Sequence, residues 1–330
     1  MTVATPTVPT LHHLVERACR APSVHNTQPW RWQVGPRGLT LLADRARQLM
    51  RADPEGRDLV LSCGAALHHL RVAAAAEGLR ALVRRMPYGD DDNVLAAIEF
   101  MPEEPDDEAT AAAALIDRRR TDRRRFSSWP VPEERLDALV AAAAEQGVLA
   151  VPVTDAEKRR HLVDVVNKAA RAQQFDWTAV DETAAWTGRR TGDGIPPPSL
   201  PRRSDVEQRA DPVPSRFPSG ALVDDLEDAE GTGYDESRFL VLCTTVDDTR
   251  SQLRAGEALS AVLLAATAQG LGTVPLSQAT EVHSTRRLLR DEILGGVTWP
   301  QVIVRVGWKP VSYEPVPATP RRPLAEVVVP

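Results

Sequence analysis

Cysteine is scarce: Cys19, Cys63 and Cys243 lie far apart, with no CxxC pair. An odd count at those spacings argues against a disulfide framework or a cysteine zinc site, and leaves small buried thiols. No apolar run approaches a bilayer span, and the opening MTVATPTVPT lacks the basic start and apolar core of a secretion signal. The expectation is a soluble cytoplasmic protein with no membrane partner. Basic excess is missing too. With 40 Lys+Arg against 46 Asp+Glu the net charge is −6, which disfavours nucleic acid as a partner. There is no GxGxxG fingerprint, no P-loop, no nucleophile elbow and no convincing triad, so stable dinucleotide binding, NTP hydrolysis and acyl transfer are poor readings. The pairs His12-His13 and His68-His69 are adjacent on predicted helices, so each pair diverges, and no metal is assigned.

What is present is a 330-residue, alanine-rich chain, which suggests two globular units or one large one with much packed helix. Apolar spacing predicts helices over 11–20, 57–78, 109–118, 132–146, 155–173 and 253–270. It predicts strands over 31–34, 39–43, 79–84, 94–100, 148–153, 239–245 and 302–306. The acidic stretch 89–93 lacks the full spacing of a calcium loop and reads as a solvated hairpin turn. The proline-rich acidic stretch 102–108 reads as a linker. Between about 175 and 234 periodicity fades, yet Trp177, Trp186 and Phe217 remain, so an ordered flap is expected there.

An internal repeat links the two parts. GAALHHLRVAAAAEGL from Gly64 to Leu79 aligns without a gap on GEALSAVLLAATAQGL from Gly256 to Leu271, sharing both glycines and the terminal Gly-Leu. Two related α+β units are inferred, packed as a pseudo-dimer with the two long helices crossing closely at its centre.

Four strings carry candidate chemistry. APSVHNTQPW (Ala21–Trp30) packs hydrogen-bonding groups onto a stiff turn between a helix and a strand. DRRRTDRRRF (Asp117–Phe126) reads as either an anion site or a solvated charged surface; guanidinium forks and the Thr121 hydroxyl suit a phosphate. GLGTVPLSQATE (Gly270–Glu281) ends a helix and enters a strand, with glycines that let backbone amides approach a flat ligand. TPRRPLAEVV (Thr319–Val328) sets two arginines between prolines on a strand-like tail.

Together these strings resemble the nitroreductase superfamily of flavin enzymes. The resemblance implies an α+β, nitroreductase-like fold that binds FMN. Arg119, Thr121 and Arg123, with Arg120, match the motif that holds the flavin phosphate and ring, with one extra residue before Phe126. Pro22, Ser23, Asn26 and Gln28 match a turn that crosses the dimer interface to the partner's flavin. Gly272, Pro275, Leu276, Ser277 and Gln278 match the segment whose amides face the flavin N5 edge, and Arg321 and Arg322 match a phosphate-gripping tail. The turn occurs in the first part and the arginine motif in the second, whose corresponding stretch AEQGVLAVPV has lost the asparagine and tryptophan.

That distribution is similar to the Acg family, with fused unequal halves, one flavin and a covering lid. It implies halves at 1–104 and 109–330 with a lid at 175–234, a tandem pair forming an intramolecular pseudo-dimer. The chain would then be a monomer or a homodimer. The chemistry belongs to the cofactor, so no side chain is assigned a catalytic role. The implied activity is an NAD(P)H-dependent oxidoreductase passing hydride to a small-molecule electron acceptor such as a nitro compound or quinone. The alternative is a flavin-sequestering protein whose lid denies NAD(P)H access.

Overall fold

The structure is a computed structural model that describes residues 6–89, 93–105, 107–189, 192–203, 213, 215–217, 219–222, 235–311 and 313–329. The acidic turn expected at 89–93 therefore lies largely outside the described residues.

Helix α1 (Val8–Ala18) begins where the Thr7 hydroxyl accepts from the Thr10 amide, and it buries Leu11, Leu14, Val15 and Ala18 along one face. Strands β1 (Trp30–Gly35) and β2 (Gly38–Ala43) form an antiparallel hairpin, with Trp30 and Trp32 buried and Arg31 between them exposed. After α2 (Arg57–Ala76), strands β3 (Leu79–Arg85) and β4 (Val94–Pro102) extend the sheet. The chain continues through α3 (Asp107–Arg118), α4 (Glu133–Ala144), β5 (Leu149–Val153), α5 (Ala156–Gln174) and α6 (Trp177–Ala185). Next come β6 (Arg238–Thr244), α7 (Thr249–Ala268), β7 (Leu271–Leu276) and β8 (Trp299–Trp308).

With β9 (Val328–Val329) near the end of the chain, two sheets result, in the orders β3-β4-β2-β1-β9 and β5-β6-β8-β7. Strand β9 pairs in parallel with β1, Trp32 opposite Val328. The tail thus crosses the molecule to finish the sheet built by the first hundred residues. Two residues are too few to show a period, so only a strand-like tendency is legible there.

Helices α2 and α7 cross at the glycines of the repeat. A Cβ on Gly64 would lie 2.0 Å from the Leu253 carbonyl oxygen, and one on Gly256 would lie 1.9 Å from that of Leu61. Backbones this close tolerate only hydrogen on both sides. The cores interlock around the crossing: Leu253 and Leu264 of α7 pack with the first sheet's core, and Leu61 of α2 with the second's. Contrary to the sequence reading, α2 is long and apolar enough by composition to span a bilayer. Most of that stretch is buried within the fold, which accounts for its apolarity.

The stretch read as lacking periodicity contains a helix. α6 is capped by Asp176, whose carboxylate accepts from the Thr178 and Ala179 amides at 3.0 and 3.4 Å. Trp177 is 73% exposed, while Trp186 stacks beneath Arg189 at 4.2 Å, so only part of the expected aromatic docking is used.

Candidate functional site

The turn at 21–30 is conformationally strained. His25, Asn26 and Gln28 have positive φ of 46°, 54° and 50°, a region that side-chain-bearing residues enter at a cost of about 1–3 kcal/mol each. Side chains lock it from several directions. Ser23 Oγ accepts from the Gln28 amide at 2.9 Å, and Ser62 Oγ of α2 accepts from the Val24 amide at 3.1 Å. Asn26 Nδ2 donates to the carbonyls of Gly194 and Pro320 at 2.8 and 3.2 Å. Gln28 donates to the Gly192 carbonyl at 2.8 Å and accepts from the Arg322 amide at 2.9 Å. The turn is where α2, the 192–194 segment and the C-terminal tail are fastened together. Its amide side chains serve that fastening, while Pro22, Ser23 and His25 line the adjoining space.

That space is two cavities with a common wall. The larger encloses about 980 Å³ of empty space counting its open mouth, and the smaller about 450 Å³. Pro22, Ser23, Thr121 and Arg123 line both. The smaller cavity adds Asn26, Arg119, Arg120 and Arg321, and no acid lines it among the described residues. Arg119 is only 4% exposed, and its Nε and Nη1 have no hydrogen-bond partner among the described residues. Burial, then the charges of Arg321, Arg120 and Arg123, push its pKa down to about 9. Arg123 falls to about 10 through burial and then Arg216, with Asp122 opposing. Buried cations without partners are costly, so an anion at this point is electrostatically favoured. The Ser199 hydroxyl and Arg120 Nε in the same wall also lack partners.

The arginine run thus divides by position. Arg118 is exposed, Arg124 is consumed by Asp122 at 2.9 Å, and Arg119, Arg120 and Arg123 reach the cavities. Arg321 lines the smaller cavity, but its guanidinium donates to the carbonyls of Cys19, Arg20 and Ala21 at 2.8–3.2 Å, tying the tail to the end of α1. Arg322 lines neither cavity; it donates to the Gln28 and Glu326 carbonyls at 3.1 and 2.9 Å and lies 3.6 Å from Asp44. Gln28 and Gly272 also line neither. A Cβ on Gly272 would fall 2.4 Å from the Phe126 ring, so packing accounts for that glycine.

The end of β7 forms another wall of the larger cavity, through Pro275, Leu276, Ser277 and Gln278. Ser277 Oγ donates to Glu281 at 2.6 Å and Gln278 Nε2 to Gln173 at 3.1 Å, so both side chains are engaged within the corner.

Several lining residues were not assigned to the site from the sequence: Asp58, Arg203, Arg216, Phe217 and Arg305, while His25, read from the sequence as an ordinary turn histidine, also lines the cavity. Arg216 forms a bidentate pair with Glu281 at 2.8 and 2.9 Å and lies 3.2 Å from His25 Nε2. Phe217 meets the His25 ring edge-on at 5.1 Å and carries Arg123 over its face at 4.9 Å. Burial, followed by Arg216, drives His25 down to about 3, with Glu281 opposing, so its imidazole is neutral at ordinary pH. Because Arg216 can only donate, Nε2 accepts and the proton is assigned to Nδ1, which has no partner. The one sequence signal for the Arg216-Phe217 contact was an aromatic beside a charge in a proline-rich tract; nothing marked Asp58.

Residues 116–308 match the family described as "Nitroreductase family". Over 328 residues the chain is 40% identical to the Mycobacterium tuberculosis H37Rv protein named "Putative NAD(P)H nitroreductase Rv3131", spanning 98% of this chain and 92% of that one. It is 39% identical over 320 residues to "Putative NAD(P)H nitroreductase acg" of the same organism, spanning 95% and 93%. Among solved structures it is similar to the FMN-dependent nitroreductase NfnB from Mycobacterium smegmatis in complex with NADPH. That similarity is 18% identity over 67% of this chain and 97% of that one, with a TM-score of 0.43.

Proposed function

The chain belongs to the nitroreductase family, in its Acg-like branch, and on that premise we propose that it binds one FMN in the joined cavities and works as an NAD(P)H-dependent oxidoreductase. The observation that carries this reading is the buried arginine pocket, with no acid lining it among the described residues, that shares a wall with a larger cavity of mixed polar and apolar lining. The residues fit the cofactor. Arg119, with two unpartnered nitrogens, Arg120, Arg123 and the Ser199 hydroxyl would hold the phosphate dianion. Ser23 and Thr121, on the wall common to both cavities, would address the chain between phosphate and ring. The ring would lie between the 21–30 turn and the end of β7, where the Ser277 and Gln278 amides would meet its edge.

Bound FMN supplies hydride transfer between a nicotinamide and an acceptor such as a nitro compound or quinone. The chain's own contribution is electrostatic. Arg123, Arg203, Arg216 and Arg305 border the larger cavity and favour negative charge developing there. The relatives' names as NAD(P)H nitroreductases support the choice of reductant.

We further infer that the halves 1–104 and 109–330 are unequal copies of one ancestral unit, packed as a pseudo-dimer. The mutual contact of the repeat glycines supports this. In this arrangement the first copy supplies the turn, the second supplies the arginines and the β7 corner, and part of 175–234 forms a lid.

A second reading is sequestration. Arg216 and Phe217 cover the larger cavity through an ion pair and two ring contacts, a closure that would impede a nicotinamide. Stopped-flow absorbance of the FMN-loaded protein mixed with NADH or NADPH separates the two. Rapid bleaching of the flavin band is expected for the oxidoreductase, and a persistent band at saturating reductant favours sequestration.

A further inference from the structure

Asp58, in the first turn of α2, lines the larger cavity and is only 3% exposed. Neither of its carboxyl oxygens has a donor among the described residues. The Glu281 carboxylate lies beside it, close enough for the two carboxyls to share a hydrogen bond if one of them carries a proton. Two carboxylates present only acceptors to each other, so such a contact requires a proton on one of them.

The surroundings decide which one. Glu281 Oε1 accepts from Ser277 Oγ and Arg216 Nη2 at 2.6 and 2.8 Å, and Oε2 from Arg216 Nη1 and Gln173 Nε2 at 2.9 and 2.6 Å. Burial raises the Glu281 pKa, but Arg216 and the Ser277 hydroxyl overcome this and hold it below the usual range. Asp58 is pushed well above the carboxylate range by burial, then by Asp53 and Glu281. Arg57 opposes, with its Nη1 and Nη2 donating to the Thr280 carbonyl at 3.2 Å and to Gln301 at 2.8 Å. These surroundings favour a shared proton on Asp58 over Glu281.

The pair also bridges two spaces. Asp58 faces the larger cavity, whereas Glu281 lines a separate outer pocket with Asp53, Glu55 and His283. The His283 side chain is 74% exposed there, so the outer pocket is open to solvent protons.

We propose that Asp58 delivers a proton to the molecule reduced in the larger cavity and is reloaded from solvent through Glu281 and the outer pocket. The proposal rests on the oxidoreductase reading. For a quinone acceptor the balance is quinone plus hydride plus proton giving hydroquinone. NAD(P)H, oxidised to NAD(P)+, is the hydride source. The Asp58 O–H bond breaks as the hydroquinone O–H bond forms, leaving two adjacent carboxylates. That pair is unfavourable in a buried site and draws a proton back from the outer pocket.

Infrared difference spectroscopy and stopped-flow reoxidation test it together. Spectra of the protein at pH 7, with and without FMN, are expected to show a protonated-carboxyl C=O band. Asp58→Asn should remove the band, and Glu281→Gln should shift it by changing the partner. The FMN-loaded protein is photoreduced and mixed with p-benzoquinone. Asp58→Asn, which keeps the shape but has no transferable carboxyl proton, should slow reoxidation by roughly 100-fold at saturating quinone, with FMN affinity unchanged. A band that neither variant alters, or a wild-type reoxidation rate in Asp58→Asn, overturns the proposal. A protein that takes up no FMN contradicts the flavin reading instead, and the infrared arm still reports where the proton lies.

Discussion

At the scale of the residue, the site is set by where charge is left uncompensated. Arg119 and Arg322 are both buried arginines in motif positions, at 4% and 8% exposure, yet they differ in their partners. Arg119 has open donors facing a cavity, whereas Arg322 is occupied by Gln28, Glu326 and Asp44. Arg119→Ala with Arg123→Ala should therefore abolish FMN binding while the far-ultraviolet circular dichroism stays that of a folded chain. Arg322→Ala should instead lower folding stability by about 1–3 kcal/mol, because it leaves carbonyls without donors. FMN titration and denaturant melts distinguish these outcomes. Asp58 gives a prediction in pH. Its folded pKa is raised above an unfolded value of about 3.9, so in the window above that value the folded state holds the extra proton. Stability contributed by this group is highest at low pH and falls as pH rises toward the folded pKa. Asp53, raised to about 6 mainly by burial, acts with the same sign. Asp58→Asn should thus gain stability relative to wild type as pH goes from 5 to 8, read from urea midpoints; a constant difference contradicts the raised value. Pro22, Ser23, Arg119, Thr121 and Arg123 could be picked out from the sequence because unusual residue types cluster there. Asp58 and His25 could not, because an isolated acid or imidazole takes its character from the burial that tertiary packing imposes.

At the scale of the element, most helices and strands were legible because amphipathic spacing repeats over many residues, as in α1 and α5. The short pieces were not. β9 exists because β1 offers it a free edge, and α6 because Asp176 caps a segment with little apolar period. The helix crossing was legible only through the repeat, and it yields a sharp expectation. Alanine favours an isolated helix over glycine by about 1 kcal/mol. In Gly64→Ala or Gly256→Ala the new methyl would fall 2.0 or 1.9 Å from a backbone carbonyl, so the helices must separate. Overpacking of this kind costs about 1–3 kcal/mol or more. Thermal melts should show lower Tm for either variant. A rise in Tm would mean the helices do not meet at these glycines.

At the scale of the whole molecule, no single part holds the candidate site. The turn comes from the first hundred residues, the arginines and the β7 corner from the later chain, and the tail returns to brace the turn. Separation of these parts along the chain explains why each motif looks incomplete when read alone. On the proposed pseudo-dimer reading, unequal copies supply one complete set of groups between them, which sets the expected stoichiometry. The most direct measurement is an anaerobic FMN titration of the purified protein, followed by flavin absorbance and calorimetry. The account predicts a yellow protein that saturates at one FMN per chain. A colourless protein that takes up no added FMN, or one that saturates at two per chain, would contradict it.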